Sequence, residues 1–394
     1  MLSSGSTYFP QARAYPVQTS LQQNDFGLPS DTGGKDLGVF LPMANGGWIL
    51  SSNAPRIDGS YAYNRQVAKL ADSLGLDFIM SMAKWKGYGG PNHHWRNALD
   101  SQILMAALAE ATSKVKVWTT VHTLLQNPAV TAKMMATLDE ISGGRAGLNI
   151  VTGAYKGEFD QMGAWRDGVS HDERYDLAAE WISGIKRLWT EDAVDLDGKY
   201  FQLKDCESFP KPKKQPFLVC AGASKRGMQF TLEHTDAIFL SGQDDAELGR
   251  NSRQAKAMAA DAGKRMRTYM MATLVIGETD AQAQATADHY RAGFDEEALK
   301  GMLRAYGFLD AELGGKENAF ITNSRSSFMT SRIIGSAETV YQQSAELLES
   351  CDLDGMMLIF PDYVSALPVY AAEILPKLRA RFPARTLETV HADA

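Results

Sequence analysis

Cysteine is scarce: Cys206, Cys220 and Cys351 are the only three in a chain of 394 residues. Their scatter excludes a disulfide framework or a cysteine zinc cluster, and the odd count suits small buried roles in a reducing cytoplasm. Positive charge is not in excess. Lys and Arg number 40 against 47 Asp and Glu, a net charge of −7, so the basic footprint of a nucleic-acid binder is missing. No apolar run reaches the ~18 residues that cross a bilayer, and no basic start followed by an apolar stretch marks a secretory signal. The seven histidines never stand in H-x-x-x-H or H-E-x-x-H spacing, so no metal site is expected. A nucleophile elbow, a P-loop and a Gly-rich dinucleotide fingerprint after the first strand are absent too. So are internal repeats. Carboxylates on separate barrel strands can pair as in a glycosidase without showing it in their spacing, but no feature here selects such a pair.

What is present is an ordinary globular composition, 44% hydrophobic and 22% charged. Short apolar β-type runs alternate with longer helical ones. Strands are expected at 36–43, 77–83, 115–122, 145–152, 217–221, 237–241, 269–276 and 355–360. Helices are expected at 63–74, 101–113, 129–141, 172–189, 225–233, 247–262, 281–294, 336–349 and 367–381. In the first of these, Val67, Leu70, Ala71 and Leu74 recur at helical spacing. Residues 153–169 read as an irregular insertion, 194–203 as a hairpin turned at Asp197-Gly198, and 296–333 as at least one helix and a polar loop. Eight β units alternating with helices predict an α/β fold, a single (β/α)8 TIM barrel with insertions and an N-terminal arm. An open doubly wound sheet is the other arrangement, and the fingerprint that would favour it is missing. The plan is an arm at 1–35 packed on the body or on a neighbouring subunit, a barrel at 36–385 and a polar tail at 386–394.

In such a barrel, working residues stand at the C-terminal ends of strands and in the loops that follow. That places Ala83 and Lys84 after the second strand, Thr120 and His122 late on the third, Asn149 late on the fourth and Ser224 after the fifth. Residues 221–224 read Ala-Gly-Ala-Ser, a strand end running into a helix start. Free N–H groups and the helix dipole attract a phosphate there, and Lys225 and Arg226 add charge. Ser224 also reads as a plain N-cap, the commoner role of such a serine. His122 reads as a pocket residue or as a packed, hydrogen-bonded one, and Glu158 as a functional or a solvated carboxylate. The residues by themselves stop at an α/β barrel with a phosphate-binding end.

Ordered blocks extend the reading: GVFLPMANGGWILS, DFIMSMAKWKGYGG, ATLDEISGGRAGLNIVTG, GEFDQMG, HDERYDLAAEW, VCAGASKRGMQF and a late IGSAETV. Together they resemble the bacterial-luciferase-like flavin-dependent monooxygenases, and within them the pyrimidine monooxygenase and dimethylsulfone monooxygenase branch. The resemblance implies FMN at the barrel mouth, held by Ala83, Lys84, Asn149, Glu158, Arg174, Tyr175 and Ser224, the last three at its phosphate. It implies that Thr120 and Asn149 are the catalytic pair that holds O2, the co-substrate, beside the reduced flavin. The implied chemistry is attack by a flavin (hydro)peroxide on an electron-poor carbon or sulfur centre. The implied setting is a two-component system in the cytoplasm, in which an NAD(P)H:flavin reductase supplies the reduced FMN and the oxygenase is a homodimer or homotetramer.

One departure bears on the substrate. Where the pyrimidine branch carries a large aromatic after its strand-four end, this chain has Ala154 followed by Tyr155, and His122 stands where that branch is small and apolar. A pocket lined by His122, Ala154 and Tyr155 is wider, and implies a pyrimidine-like or larger fused-ring heteroaromatic substrate. A sulfone or halogenated aromatic is the alternative substrate. An F420- or flavin-dependent dehydrogenase on the same barrel is the alternative reaction. No nucleic-acid or membrane partner is expected.

Overall fold

The computed structural model describes residues 25–153, 155–222, 224–306 and 319–385. Among the described residues there are eleven strands: β1 (Asp36–Phe40), β2 (Phe78–Met80), β3 (Lys116–His122), β4 (Ala146–Val151), β5 (Val194–Asp197), β6 (Gln202–Cys206), β7 (Phe217–Cys220), β8 (Ala237–Phe239), β9 (Arg267–Gly277), β10 (Ser331–Ser336) and β11 (Gly355–Ile359). Eight of them close a ring in the order β1-β2-β3-β4-β7-β8-β9-β11, every pairing parallel, and β11 returns to β1. These are the eight staves that the sequence predicts. Hydrophobic burial on both faces accounts for their near-continuous apolar runs.

Three features differ from the expected elements. β10 was not expected, because Ser331, Arg332 and Gly335 dilute its apolar pattern. It pairs only with the far half of the long β9, from Ala272 to Gly277, beyond the part of β9 that meets β8. The irregular insertion contains a short helix, Lys156–Asp160. The expected last helix is interrupted: Tyr363–Val369, a π-helical turn Tyr370–Ile374 and Leu375–Arg381 follow one another. Pro368 and Pro376 lack the N–H that an unbroken helix requires. The expected hairpin is there as β5 and β6.

The lower half of the barrel is filled by large rings set opposite glycines. Gly38 pairs in register with Phe78, Gly147 with Trp118 and Gly355 with Tyr269. A Cβ on Gly38 or Gly147 would come within 2.3 or 2.4 Å of the facing ring, so each glycine makes the room its neighbour fills. Phe78 stacks on Trp118 at 3.9 Å, and Trp118 on Phe217 at 4.7 Å.

Residues 25–35 of the arm pack under this floor, at the N-terminal ends of the strands. Asp36 accepts from Ser30 N at 2.7 Å, Ser30 Oγ at 2.5 Å and Tyr269 Oη at 2.6 Å. The Arg267 guanidinium pairs with Asp31 and lies over the Phe26 and Phe217 rings at 5.3 and 5.8 Å. Residues 1–24 and the tail at 386–394 lie outside the described residues. Among the described residues no helix is long and apolar enough to cross a membrane. The cavity that gathers the strand-end residues lies at the other end, at the C-terminal tips of the strands.

Candidate active site

A cavity of roughly 860 Å³, counted to its open mouth, lies at those tips. Ala83, Lys84, Thr120, His122, Asn149, Tyr155 and Glu158 all line it. The sequence had placed these residues at strand ends or in the insertion, and the fold brings them to one wall. Ala154 lies outside the described residues.

At the base of the cavity, Thr120 on β3 sits opposite Asn149 on β4. Asn149 Nδ2 donates to Thr120 Oγ1 at 3.1 Å, and the Thr120 hydroxyl donates to the Ser81 carbonyl. The hydroxyl hydrogen of Thr120 is therefore committed, while Asn149 Oδ1 is buried without a partner. Behind them a hydroxyl chain fixes the strand. Ser101 Oγ contacts Ser81 Oγ at 2.6 Å and Thr119 Oγ1 at 2.8 Å, and accepts from Thr120 N at 2.8 Å. Ser101 opens the helix Ser101–Glu110, so an outer helix and two staves share one network.

Lys84 enters from the loop after β2. Its Nζ lies 4.6 Å from the Tyr88 ring centroid and 4.7 Å from that of Tyr155, and 3.5 Å from Glu158. Burial pulls the ammonium down to about 8, against the opposing influence of Glu158. Two ring faces partly replace the lost water. Glu158 is not a solvated carboxylate. It is 2% exposed and its Oε1 accepts from the N–H groups of Trp85 at 2.5 Å and Lys86 at 3.2 Å. The insertion helix is thereby latched to the loop that carries Lys84. His122 sets Nε2 3.2 Å from the Ala83 carbonyl and packs edge-on to Phe159. Burial holds its imidazole below the usual range.

Arg174, Tyr175 and Ser224 form a neighbouring cluster rather than part of this wall. Ser224 Oγ accepts from Gly227 N at 3.0 Å, capping the helix Lys225–His234. The cap expected from the sequence is thus real. Tyr175 reaches the Ser224 and Thr152 side chains, and burial pushes its phenol above the usual range. Arg174 lies over the Trp165 ring at 5.0 Å, with its Nε buried and unpartnered. A Cβ on Gly227 would sit 2.6 Å from Tyr175 Oη, so only glycine lets the tyrosine approach the helix start. A guanidinium, two hydroxyls and a helix N-terminus suit a phosphate. Arg226 is less available, since it pairs with Asp176 at 2.7 Å. Ala221, three residues before Ser224, joins the cluster to the large cavity.

Sequence reasoning missed the aromatic wall. Phe40, Trp48, Tyr88, Trp95, Phe239 and Tyr306 line the same cavity. Trp48 meets Phe40 at 4.0 Å and Trp95 at 4.9 Å, and Tyr88 Oη contacts Tyr306 Oη at 2.9 Å. Four of these residues lie on loops, where no periodicity points them inward. Among the described residues no three His, Cys, Asp or Glu side chains gather as a metal site.

The family model described as luciferase-like monooxygenase matches residues 36–352. The chain is 36% identical to pyrimidine monooxygenase RutA of Methylobacterium radiotolerans over 356 residues, covering 88% of this chain and 92% of that one. It is 34% identical to the enzyme of the same name from Variovorax paradoxus, over 88% of this chain and 95% of that one. Among solved structures, riboflavin lyase RcaE superposes with a TM-score of 0.78 at 23% identity, over 90% of this chain and 93% of that one. Long-chain alkane monooxygenase LadA gives a TM-score of 0.78 at 19% identity with the same coverage. At these identities the two structures show the shared fold.

Proposed function

The chain belongs to the luciferase-like monooxygenase family, and from that premise we propose that it is the oxygenase of a two-component, FMN-dependent system. It takes reduced FMN from a separate NAD(P)H:flavin reductase in the cytoplasm and inserts one atom of O2 into a pyrimidine-like or larger fused-ring heteroaromatic compound. The observation that carries this reading is the Thr120–Asn149 pair at the base of an aromatic-walled cavity.

The residues present fit the cofactor. Arg174, Tyr175 and Ser224 would hold the phosphate, where a buried guanidinium nitrogen lacks a partner. Ala83, Lys84, Asn149 and Glu158 would hold the ring, and Lys84 offers it a partly desolvated positive charge. When bound, reduced FMN supplies the electrons for oxygen chemistry. The chain does the rest: Asn149 and Thr120 flank the place of O2, and the aromatic wall excludes water. The names of the 34–36% identical relatives support a pyrimidine-like substrate.

Titration with FMN, followed by quenching of its fluorescence, tests the cofactor assignment. Saturable binding is expected, weakened about tenfold or more in Arg174→Ala by loss of a charge-assisted hydrogen bond. Absence of saturation, or an affinity indifferent to Arg174→Ala, would count against it.

A further inference from the structure

The aromatic wall hangs on the loops after β1 and β2. Trp48 comes from the first, and Tyr88 and Trp95 come from the second. The two loops run antiparallel: Trp95 N donates to the Asn45 carbonyl at 3.1 Å, Asn45 N to the Asn97 carbonyl at 3.0 Å and Leu99 N to the Met43 carbonyl at 3.2 Å. Within this ribbon the second loop turns sharply. Gly89, Gly90, His93 and Trp95 have φ of 86°, 76°, 47° and 60°. Glycine takes such angles freely, but for histidine and tryptophan the left-handed conformation is unfavourable and persists only where neighbours enforce it. The Trp95 ring reaches the cavity from this backbone, 4.9 Å from Trp48, and its Nε1 donates to the Gly47 carbonyl at 2.6 Å. Tyr88 is tied to the same turns, since its N–H donates to the His94 carbonyl at 2.9 Å.

One side chain binds this strained stretch together. Asn45 Nδ2 donates to the carbonyls of Asn92 at 3.0 Å and His93 at 2.9 Å, and Asn45 Oδ1 accepts from Asn97 N at 2.8 Å. Both hydrogens and the oxygen of the amide are thereby committed to residues 92–97. An aspartate has no hydrogen for those two carbonyls, and an alanine offers neither donor nor acceptor. Asn45 itself stands outside the cavity lining.

We propose that Asn45 is a positioning residue of the site: it holds His93 and Trp95 left-handed and so fixes Trp95 and Tyr88 as a rigid face for the planar ring that reacts. The proposal rests on the oxygenase reading above and adds to it a residue that touches neither substrate nor cofactor. The wall meets the ring before and during the reaction alike, so loosening it weakens binding more than the chemical step.

The test uses the full chain. Wall geometry is read from the near-ultraviolet circular dichroism of the Trp48–Trp95 pair, identified as the signal lost in Trp95→Phe. Ring binding is read from KM and kcat with photoreduced FMN, O2 and uracil or hypoxanthine, and folding from the melting temperature. Asn45→Ala is expected to lose the paired-ring signal and to raise KM about tenfold while kcat falls by less than about twofold. Adding His93→Gly, which tolerates positive φ at an exposed position, should restore about half or more of both losses. Asn45→Asp keeps the acceptor but not the donors; it should behave like Asn45→Ala and serves if that variant does not fold. A merely structural role would lower the melting temperature and leave KM unmoved. Unchanged dichroism or unchanged KM in the Asn45 variants, or losses that His93→Gly does not reverse at all, would overturn the proposal. Turnover of neither base by the wild type would instead count against the oxygenase reading, and the dichroism would then decide the role of Asn45 by itself.

Discussion

Thr120 gives its one hydroxyl hydrogen to the Ser81 carbonyl and takes the Asn149 amide on a lone pair. To donate to bound oxygen the hydroxyl must turn away from Ser81, whereas the open Asn149 Oδ1 can only accept and so suits a ring N–H rather than O2. Thr120→Val removes both functions of the hydroxyl without changing side-chain shape. We expect it to lower turnover about tenfold or more, the scale of losing one hydrogen bond of about 1.4 kcal/mol, to leave FMN affinity intact, and to be largely reversed in Thr120→Ser. Oxygen-consumption assays check this, and unchanged turnover would remove Thr120 from the oxygen site. Strand-end position offered the two residues among several and the resemblance paired them, but the hydrogen bond between them was not legible, since only register brings them together. Glu158 shows the opposite limit. Its partners are backbone N–H groups 73 and 72 residues upstream, and backbone donors carry no sequence signature.

The stretch 25–35 acts as a plug held to β1 and β9 by a buried carboxylate. Burial, reinforced by Asp77, pushes Asp36 up to about 7, while the hydrogen bonds from Ser30 and Tyr269 act in the opposite direction. Between its ordinary value of 3.8 and about 7, folded Asp36 keeps a proton that the unfolded chain has lost. Its contribution to stability is therefore fully present below the unfolded value and is lost as the pH rises through about 7. Asp36→Asn removes the titration. The stability of the wild type relative to that variant, read from urea midpoints, should increase as the pH falls from about 8 to about 5. Parallel pH profiles for the two proteins would contradict the assignment. Buried His94 and His234, both lowered to about 3 by burial, drive the opposite trend in each protein, so the difference isolates Asp36. Among the elements, those with clean periodicity or strong stops were legible, such as the helix Tyr61–Leu74 and the hairpin. β10 and the proline-broken C-terminal helix were not, because tertiary pairing and a missing N–H decide them.

At the scale of the molecule, the count of alternating units was enough to predict a closed barrel, and parallel closure of β11 on β1 completes it. The two ends differ in ways that composition does not reveal. One is filled by rings set against glycines, and the other is a cavity whose walls come from loops far apart in the chain. The most direct test of the account is turnover under isotopically heavy O2 with photoreduced FMN and uracil or hypoxanthine, read by mass spectrometry of the product. The account predicts a product carrying a single heavy oxygen atom, formed only when reduced FMN, O2 and the chain are all present. A chain that binds reduced FMN and either base yet leaves the label out of the product, or turns substrate over without O2, would contradict it.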